Sequence, residues 1–428
     1  MMRQAQPTGL FTVPPHPPVF YAHKISNNEK DIEIDGDILG KPIWESVPWS
    51  APFSEIRGSH DENHGDPKFV PPIESTPSFH HCRTRMKMLW DDDFLYVAAL
   101  LEYGIPFNEF GDLEEEIITE KRVSEIIATY TERNSPIYHQ DSDFEVFIDP
   151  SDSCHDYKEL EMNALNTVWN LMLDKPYDVG GQEHSARKDI SYGPSDDRYY
   201  EVQNQTSAAK AISGKINEKS GRRKYLAWAV EIKMAHSDTL KRIKPLPSFP
   251  DSYKPQNTKY WRINFSHVEL KGDINWVWSP QLSWDTNAKE WRGFVAMHRP
   301  EAWGYVYFVD AERDISISEN EMHPGKKSSY YWRDPLWEIR SVAVMIYYEL
   351  RNYKAEHAKY VDDLSELGVK NRLKNFASLD IKIEIVKHVE DNGFLVTVMD
   401  ENIGMVSITE QEKMSSIPYK ETNRLGKD

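Results

Sequence analysis

Two carboxylates, Glu145 and Glu161, fall in neighbouring candidate strands and could form the acid and nucleophile-or-base pair that glycoside hydrolysis needs. An acidic chain offers many such pairs, so the competing reading is two carboxylates that hydrogen-bond or cap loops. Asp149, Asp152, Asp156 and Glu159 make a denser oxygen-rich group around a predicted loop. Hard oxygen ligands of this kind suit calcium, although the spacing is not that of a twelve-residue EF-hand loop. The alternative is a solvated acidic turn. Asn163, Asn166 and Asn170 recur beside Trp169, and a row of amides on a sheet face suits either a ligand or a buried polar network. No Gly-rich phosphate loop, Gly-x-Ser-x-Gly elbow or His-Glu-x-x-His helix occurs.

These residues need a scaffold, and the patterning predicts a mainly β one. Arg85 to Trp90 alternates and Phe94 to Leu101 runs apolar, with Asp91-Asp92-Asp93 as the turn between two strands. Strands are predicted at Asp143–Asp149, Glu159–Trp169, Tyr225–Met234, Tyr260–His267, Asn275–Trp278 and Trp303–Asp310, and a short one from Ile32 entering a turn at Asp35-Gly36. With no βαβ rhythm, they favour an antiparallel β-sandwich over 31–315. An amphipathic helix is predicted as an insertion near 112–131. Residues 1–30, with Pro14, Pro15, Pro17 and Pro18, read as an extended arm. From 328 to 428 a small α+β segment is expected, led by a helix from Pro335 to Tyr353 and followed by a hairpin turning at Asp391-Asn392-Gly393.

The chain has 428 residues, 13 Trp and 22 Tyr, ample for a large core, and most of the Trp, including Trp90, Trp228 and Trp261, are expected inside it. A formal charge of -18 argues against nucleic acid and anionic membranes as partners. Cys82 and Cys154 allow at most one disulfide, and a reduced pair is expected. The N-terminus as given shows neither a signal peptide nor a membrane anchor, which reads as cytoplasmic, or as secreted if that end is incomplete.

Several ordered blocks together resemble carbohydrate-binding module family 9, a DOMON-like β-sandwich of jelly-roll type. They are Ile34-Asp35-Gly36 with Trp44, Met88 to Asp92 running into Leu95-Tyr96-Val97, Asp143 to Pro150, Glu159 to Thr167, and Met297 to Glu301 leading to Trp303-Gly304. The resemblance is closest to a branch whose members carry a C-terminal extension. It implies a non-catalytic module that binds a sugar or polysaccharide end, works beside a glycoside hydrolase in carbohydrate catabolism, requires no cofactor, and in some members holds structural calcium. In sugar-binding members two Trp sandwich a ring. Those places fall here at about His139, beside Tyr138, and at Met297, beside His298. The hydroxyl-binding Glu maps onto Glu145, while the position of a sugar-binding Arg holds Glu161. Tyr138, His139, Glu145, Glu161, Asn163, Asn166, Trp169, Met297, His298, Arg299 and Trp303 are thus the candidate carbohydrate site. Other readings stay open: a hydrolase, a scaffold that docks a partner through the 335–353 helix, or Glu145 and Glu161 simply paired with Arg299.

Overall fold

Alternating side chains bury one face of a strand at every second residue, and this pattern builds most of the fold. The computed structural model describes residues 13–26, 32–58, 82–103, 125–138, 140–219, 225–245, 251–272, 274–310, 332–376, 379–388 and 393–419. In chain order the first strands are β1 (Val19–Lys24), β2 (Ser54–Glu55), β3 (Cys82–Trp90), β4 (Phe94–Tyr103), β5 (Asp143–Asp149), β6 (Tyr157–Asn163), β7 (Val168–Leu173) and β8 (Glu183–His184). Then come β9 (Gln205–Ser213), β10 (Leu226–Ala235), β11 (Tyr260–Glu269), β12 (Ile274–Val277), β13 (Leu282–Asp285), β14 (Glu290–Gly293) and β15 (Gly304–Val309).

All but β13 and β14 join one sheet, ordered β8-β7-β6-β5-β11-β15-β1-β3-β4-β10-β9, with β12 on β11 and β2 on β12. Its two halves face each other across one core. Met86, Trp90, Leu101, Trp228 and Val230 come from one half; Phe144, Val146, Leu160, Trp261 and Phe265 come from the other. This is the expected β-sandwich, and the three Trp assigned to the core lie in it. The turn at Asp91 forms as expected, its Oδ1 accepting the N–H groups of Asp93 (2.8 Å) and Phe94 (2.7 Å).

Four local expectations are corrected. The Pro-rich arm is not wholly outside the fold: the prolines stop at Pro18, so Val19–Lys24 keeps its N–H donors and inserts as β1 between β15 and β3, parallel to both. The sheet is therefore mixed. His16 anchors the arm, its Nε2 accepting the Asp334 N–H at 2.9 Å and its ring stacking on Tyr305. The short strand expected from Ile32 does not form, whereas the turn at Asp35-Gly36 does, its two N–H groups donating to the buried Glu231 carboxylate of β10. Glu159–Trp169 is split in two by a turn in which Asn163 Oδ1 accepts from the N–H of Leu165 and of Thr167. Most of the predicted 112–131 helix lies outside the described residues; its described end, 125–131, is extended, with Ile126 bridged to Ile216.

The C-terminal unit forms around the helix Trp337–His357, whose buried Ile339, Val342, Ala343, Ile346 and Leu350 give it an apolar stripe. The stripe packs on β17 (Gly393–Asp400) and β18 (Gly404–Thr409) of an antiparallel sheet completed by β16 (Ile381–His388) and β19 (Met414–Pro418). The predicted hairpin is thus half of a larger sheet; Asp391 and Asn392 of its turn lie outside the described residues. Asp334 orders the helix entry, its Oδ1 accepting the Leu336 N–H at 2.9 Å. The unit is docked on the sandwich. Trp284 and Trp291 of the β13–β14 hairpin and Cys154 join its core, and Trp284 Nε1 donates to Glu349 at 2.6 Å. Cys154 is a free, buried thiol. No described helix is long and apolar enough to cross a membrane.

Candidate functional site

Side chains of β5 and β6 alternate between the core and the outer face of the sheet. Phe144, Val146, Leu160 and Met162 enter the core, which turns Asp143, Glu145, Glu159 and Glu161 outward. The register sets Glu145 opposite Glu161 and Asp143 opposite Asn163 on β6, with Ser266 of β11 opposite Glu145 on the other side. Exposure of Asp143, Glu145, Glu159 and Glu161 is 0%, 5%, 5% and 2%, so four carboxylates sit together nearly out of water.

Burial and mutual repulsion raise the pKa of all four carboxyl groups. Asp143 and Glu161 are raised well above the usual carboxylate range, first by desolvation and then by neighbouring carboxylates. Glu145 is pushed up to about 8 by burial and Glu159. Glu159 is pushed up to about 7 by burial, against a hydrogen bond shared with Glu161. Both Asp143 oxygens and the Oε2 atoms of Glu145, Glu159 and Glu161 have no hydrogen-bond partner. Such orphaned acceptors are costly to bury.

Aromatic side chains border the patch. Trp169 of β7 stands opposite Glu161; the Tyr138 ring meets it edge-on at 4.2 Å, and the Arg187 guanidinium lies over it at 3.9 Å. Farther along, His298 lies 3.8 Å from Glu159 Oε2 and meets the Tyr177 ring at 4.6 Å. Burial lowers the His298 pKa to about 4. The neutral ring shares a hydrogen bond with the Tyr157 hydroxyl through Nδ1 at 3.0 Å, and its Nε2 is the atom nearest Glu159. Tyr138 and Tyr177 keep 38% and 41% of their surface exposed, so both rings remain open to a ligand.

The structure thus brings together Tyr138, Glu145, Glu161, Trp169 and His298 of the predicted set; His139 lies outside the described residues. The rest serve the scaffold. Trp303 is fully buried, its Nε1 donating to the carbonyl of the nearly buried Met297 at 3.0 Å. Arg299 turns away from Glu145 and Glu161 to Ser283, Tyr348 and Asp178, which removes the reading in which it pairs with them. The amide row does not converge. Asn163 holds Tyr130 O and Asp141, Asn166 bonds Ser207, and Asn170, on the core side, bonds Asn134 and Glu201.

Sequence reading missed Asp143, Tyr177 and Arg187, and placed Glu159 in the wrong group. The signal for Asp143 and Glu159 was present, since both share the outward parity of Glu145 and Glu161. Tyr177 and Arg187 carry no local signal, because the chain around β8 folds them back over β7.

The loop expected to hold calcium is occupied otherwise. Asp149 accepts the Ser151 and Cys154 N–H groups, Asp152 binds Arg340 and lies 3.4 Å from Arg262, and Asp156 faces Arg242 at 3.5 Å. Among the described residues the group with ligand geometry is Asp143, Glu145 and Glu161, with one oxygen of each within 4.8 Å of the others. A groove of about 1000 Å³ lies elsewhere, between Pro150–Asp156, Tyr260 and the last strand. Its Asp152 and Asp334 are already bound by Arg340.

No protein-family model matches the chain, and no curated protein matches it. Among solved structures, it is similar to a family 9 carbohydrate-binding module from Caldicellulosiruptor kristjanssonii. The complex with cellotriose aligns at TM-score 0.34 and 14% identity, over 72% of this chain and 100% of that one. The glucose complex aligns at TM-score 0.35 and 14% identity, over 70% and 100%. A Bacteroides uniformis protein aligns at TM-score 0.38 and 11% identity, over 68% and 99%.

Proposed function

We propose that this chain is a non-catalytic carbohydrate-binding protein and that the outer face of β5, β6 and β7 is its binding surface. One observation carries the reading: two exposed rings, Tyr138 and Tyr177, flank a run of carboxylates with unpartnered oxygens. A sugar presents apolar C–H faces to aromatic rings and hydroxyl donors to such acceptors, so it satisfies both at once. The sequence blocks that resemble family 9 add a polysaccharide end as the ligand class and a place beside a glycoside hydrolase. Hydrolysis by this chain fits less well. Glu145 and Glu161 lie side by side on adjacent strands of one sheet, whereas a glycosidase sets two carboxylates about 5 to 10 Å apart on either side of the scissile bond. A docking role for the C-terminal helix is also disfavoured, because its apolar stripe is covered by β17 and β18.

Retention on immobilised polysaccharides in native affinity electrophoresis tests the site. Each ring contributes about 1 kcal/mol of stacking, so Tyr138→Ala and Tyr177→Ala are each expected to weaken retention roughly fivefold. Tyr419→Ala, which changes an exposed tyrosine of the C-terminal unit, should leave retention unchanged. Wild-type protein that passes unretarded through every polysaccharide, or rim variants that match it, would remove the proposal.

A further inference from the structure

We infer that Asp143, Glu145 and Glu161 hold one divalent hard cation of the calcium class on the outer face of the sandwich. The inference goes beyond carbohydrate binding and does not depend on it. One oxygen from each of the three side chains lies within 4.8 Å of the others. Calcium binds oxygen at about 2.3–2.6 Å, so ligands on opposite sides of the ion stand roughly 5 Å apart, and the three fit around one ion. Both oxygens of Asp143 and Oε2 of Glu145 and of Glu161 are buried with no hydrogen-bond donor. That second observation separates this cluster from an ordinary acidic turn, whose oxygens are taken by N–H groups or water.

The countercharge is what the site lacks. Asp143 is surrounded by Glu145, Glu269 and Asp141, and Glu161 by Glu145, Glu159 and Asp143, all carboxylates. Arg187, whose charge reaches Glu159, is engaged over Trp169 and with Glu183, and Arg299 is engaged with Ser283 and Tyr348. Carboxylate oxygens without nitrogen or sulfur donors select calcium, magnesium or manganese over zinc or copper. The flexible arms of two Glu and one Asp favour the larger ion, which accepts irregular geometry, over magnesium, which demands a near-ideal octahedron. A bound cation would also lock β5 to β6 at the centre of the ligand face, as a fixed positive charge among the acceptors.

The test uses the full chain, stripped with chelator and then dialysed against calcium, magnesium or manganese chloride. Bound metal is counted by atomic emission, and the unfolding midpoint is followed by calorimetry. The expected result is one calcium per chain and a midpoint raised by about 3–5 °C at a hundredfold excess over the dissociation constant. The near-isosteric Asp143→Asn/Glu161→Gln variant relieves like-charge repulsion. Its metal-free midpoint should be no lower than that of wild type, with no metal retained and no calcium shift. Should it fail to fold, Glu145→Gln removes a single ligand and is expected to weaken calcium at least tenfold. Wild type that retains no divalent ion and shows no shift overturns the inference, as does an unchanged shift in either variant. Retention on polysaccharide, measured on the same samples, reports separately on sugar binding.

Discussion

Arg340→Met is expected to cost about 3–5 kcal/mol of stability, because it leaves buried carboxylates without their cation. The Arg340 side chain is 1% exposed, and its Nε donates to Asp334 at 2.6 Å. Its other nitrogens reach Asp152, Ser416 Oγ and Met414. It therefore joins the helix entry, the sandwich loop after β5 and the last strand of the C-terminal sheet. Asp334 is fully desolvated, yet its pKa is held below the usual carboxylate value, mainly by the Arg340 charge. Without that charge, burial of Asp334 is uncompensated. Denaturant unfolding should shift to a lower midpoint and split into two phases as the C-terminal unit loosens from the sandwich. In a double-mutant cycle, Asp334→Asn should cost far less in the Arg340→Met background than in wild type. A loss below about 1 kcal/mol would show that the docking rests on the apolar cluster alone.

Glu231→Ala is expected to cost a similar amount by a different route. The Glu231 side chain is 0% exposed and lies 2.6 Å from Lys41 Nζ. It accepts from the Asp35 and Gly36 N–H groups at 3.0 Å and from Trp44 Nε1 at 2.7 Å. Four donors converge on one carboxylate, and its removal orphans all of them. Gln is no substitute, since its amide nitrogen would face a donor. Hydrogen exchange should accelerate across residues 32–47 well before the central strands are affected. Unchanged protection there would mean that Trp44 packing alone fixes the segment.

Much of the scaffold was legible because local pattern and tertiary role agree in it. β5 was predicted with its observed bounds, since acidic and aromatic side chains alternate with core residues over its whole length. The Ile34-Asp35-Gly36 and Trp44 block was visible, but its cause was not: both ends bind Glu231, nearly two hundred residues away in sequence. β1 was hidden by the prolines before it, which advertise an arm and say nothing of the gap between β15 and β3. The supposed calcium loop shows the same limit. Asp152 and Asp156 look unpaired in sequence, and their partners Arg340 and Arg262, and Arg242, arrive only through folding. For the site, parity along β5 and β6 was enough to place four carboxylates on one face. The exposed Tyr177 was not legible, because nothing local says that the turn after β7 returns to His298.

Calorimetric titration of the full chain with soluble oligosaccharides, neutral and amino-bearing, tests the account most directly. The predicted result is saturable binding at one site per chain for at least one sugar, lost in Tyr138→Ala/Tyr177→Ala while the unfolding midpoint stays that of wild type. The absence of binding for every sugar in the metal-loaded wild type, or equal affinity in that double variant, would contradict it.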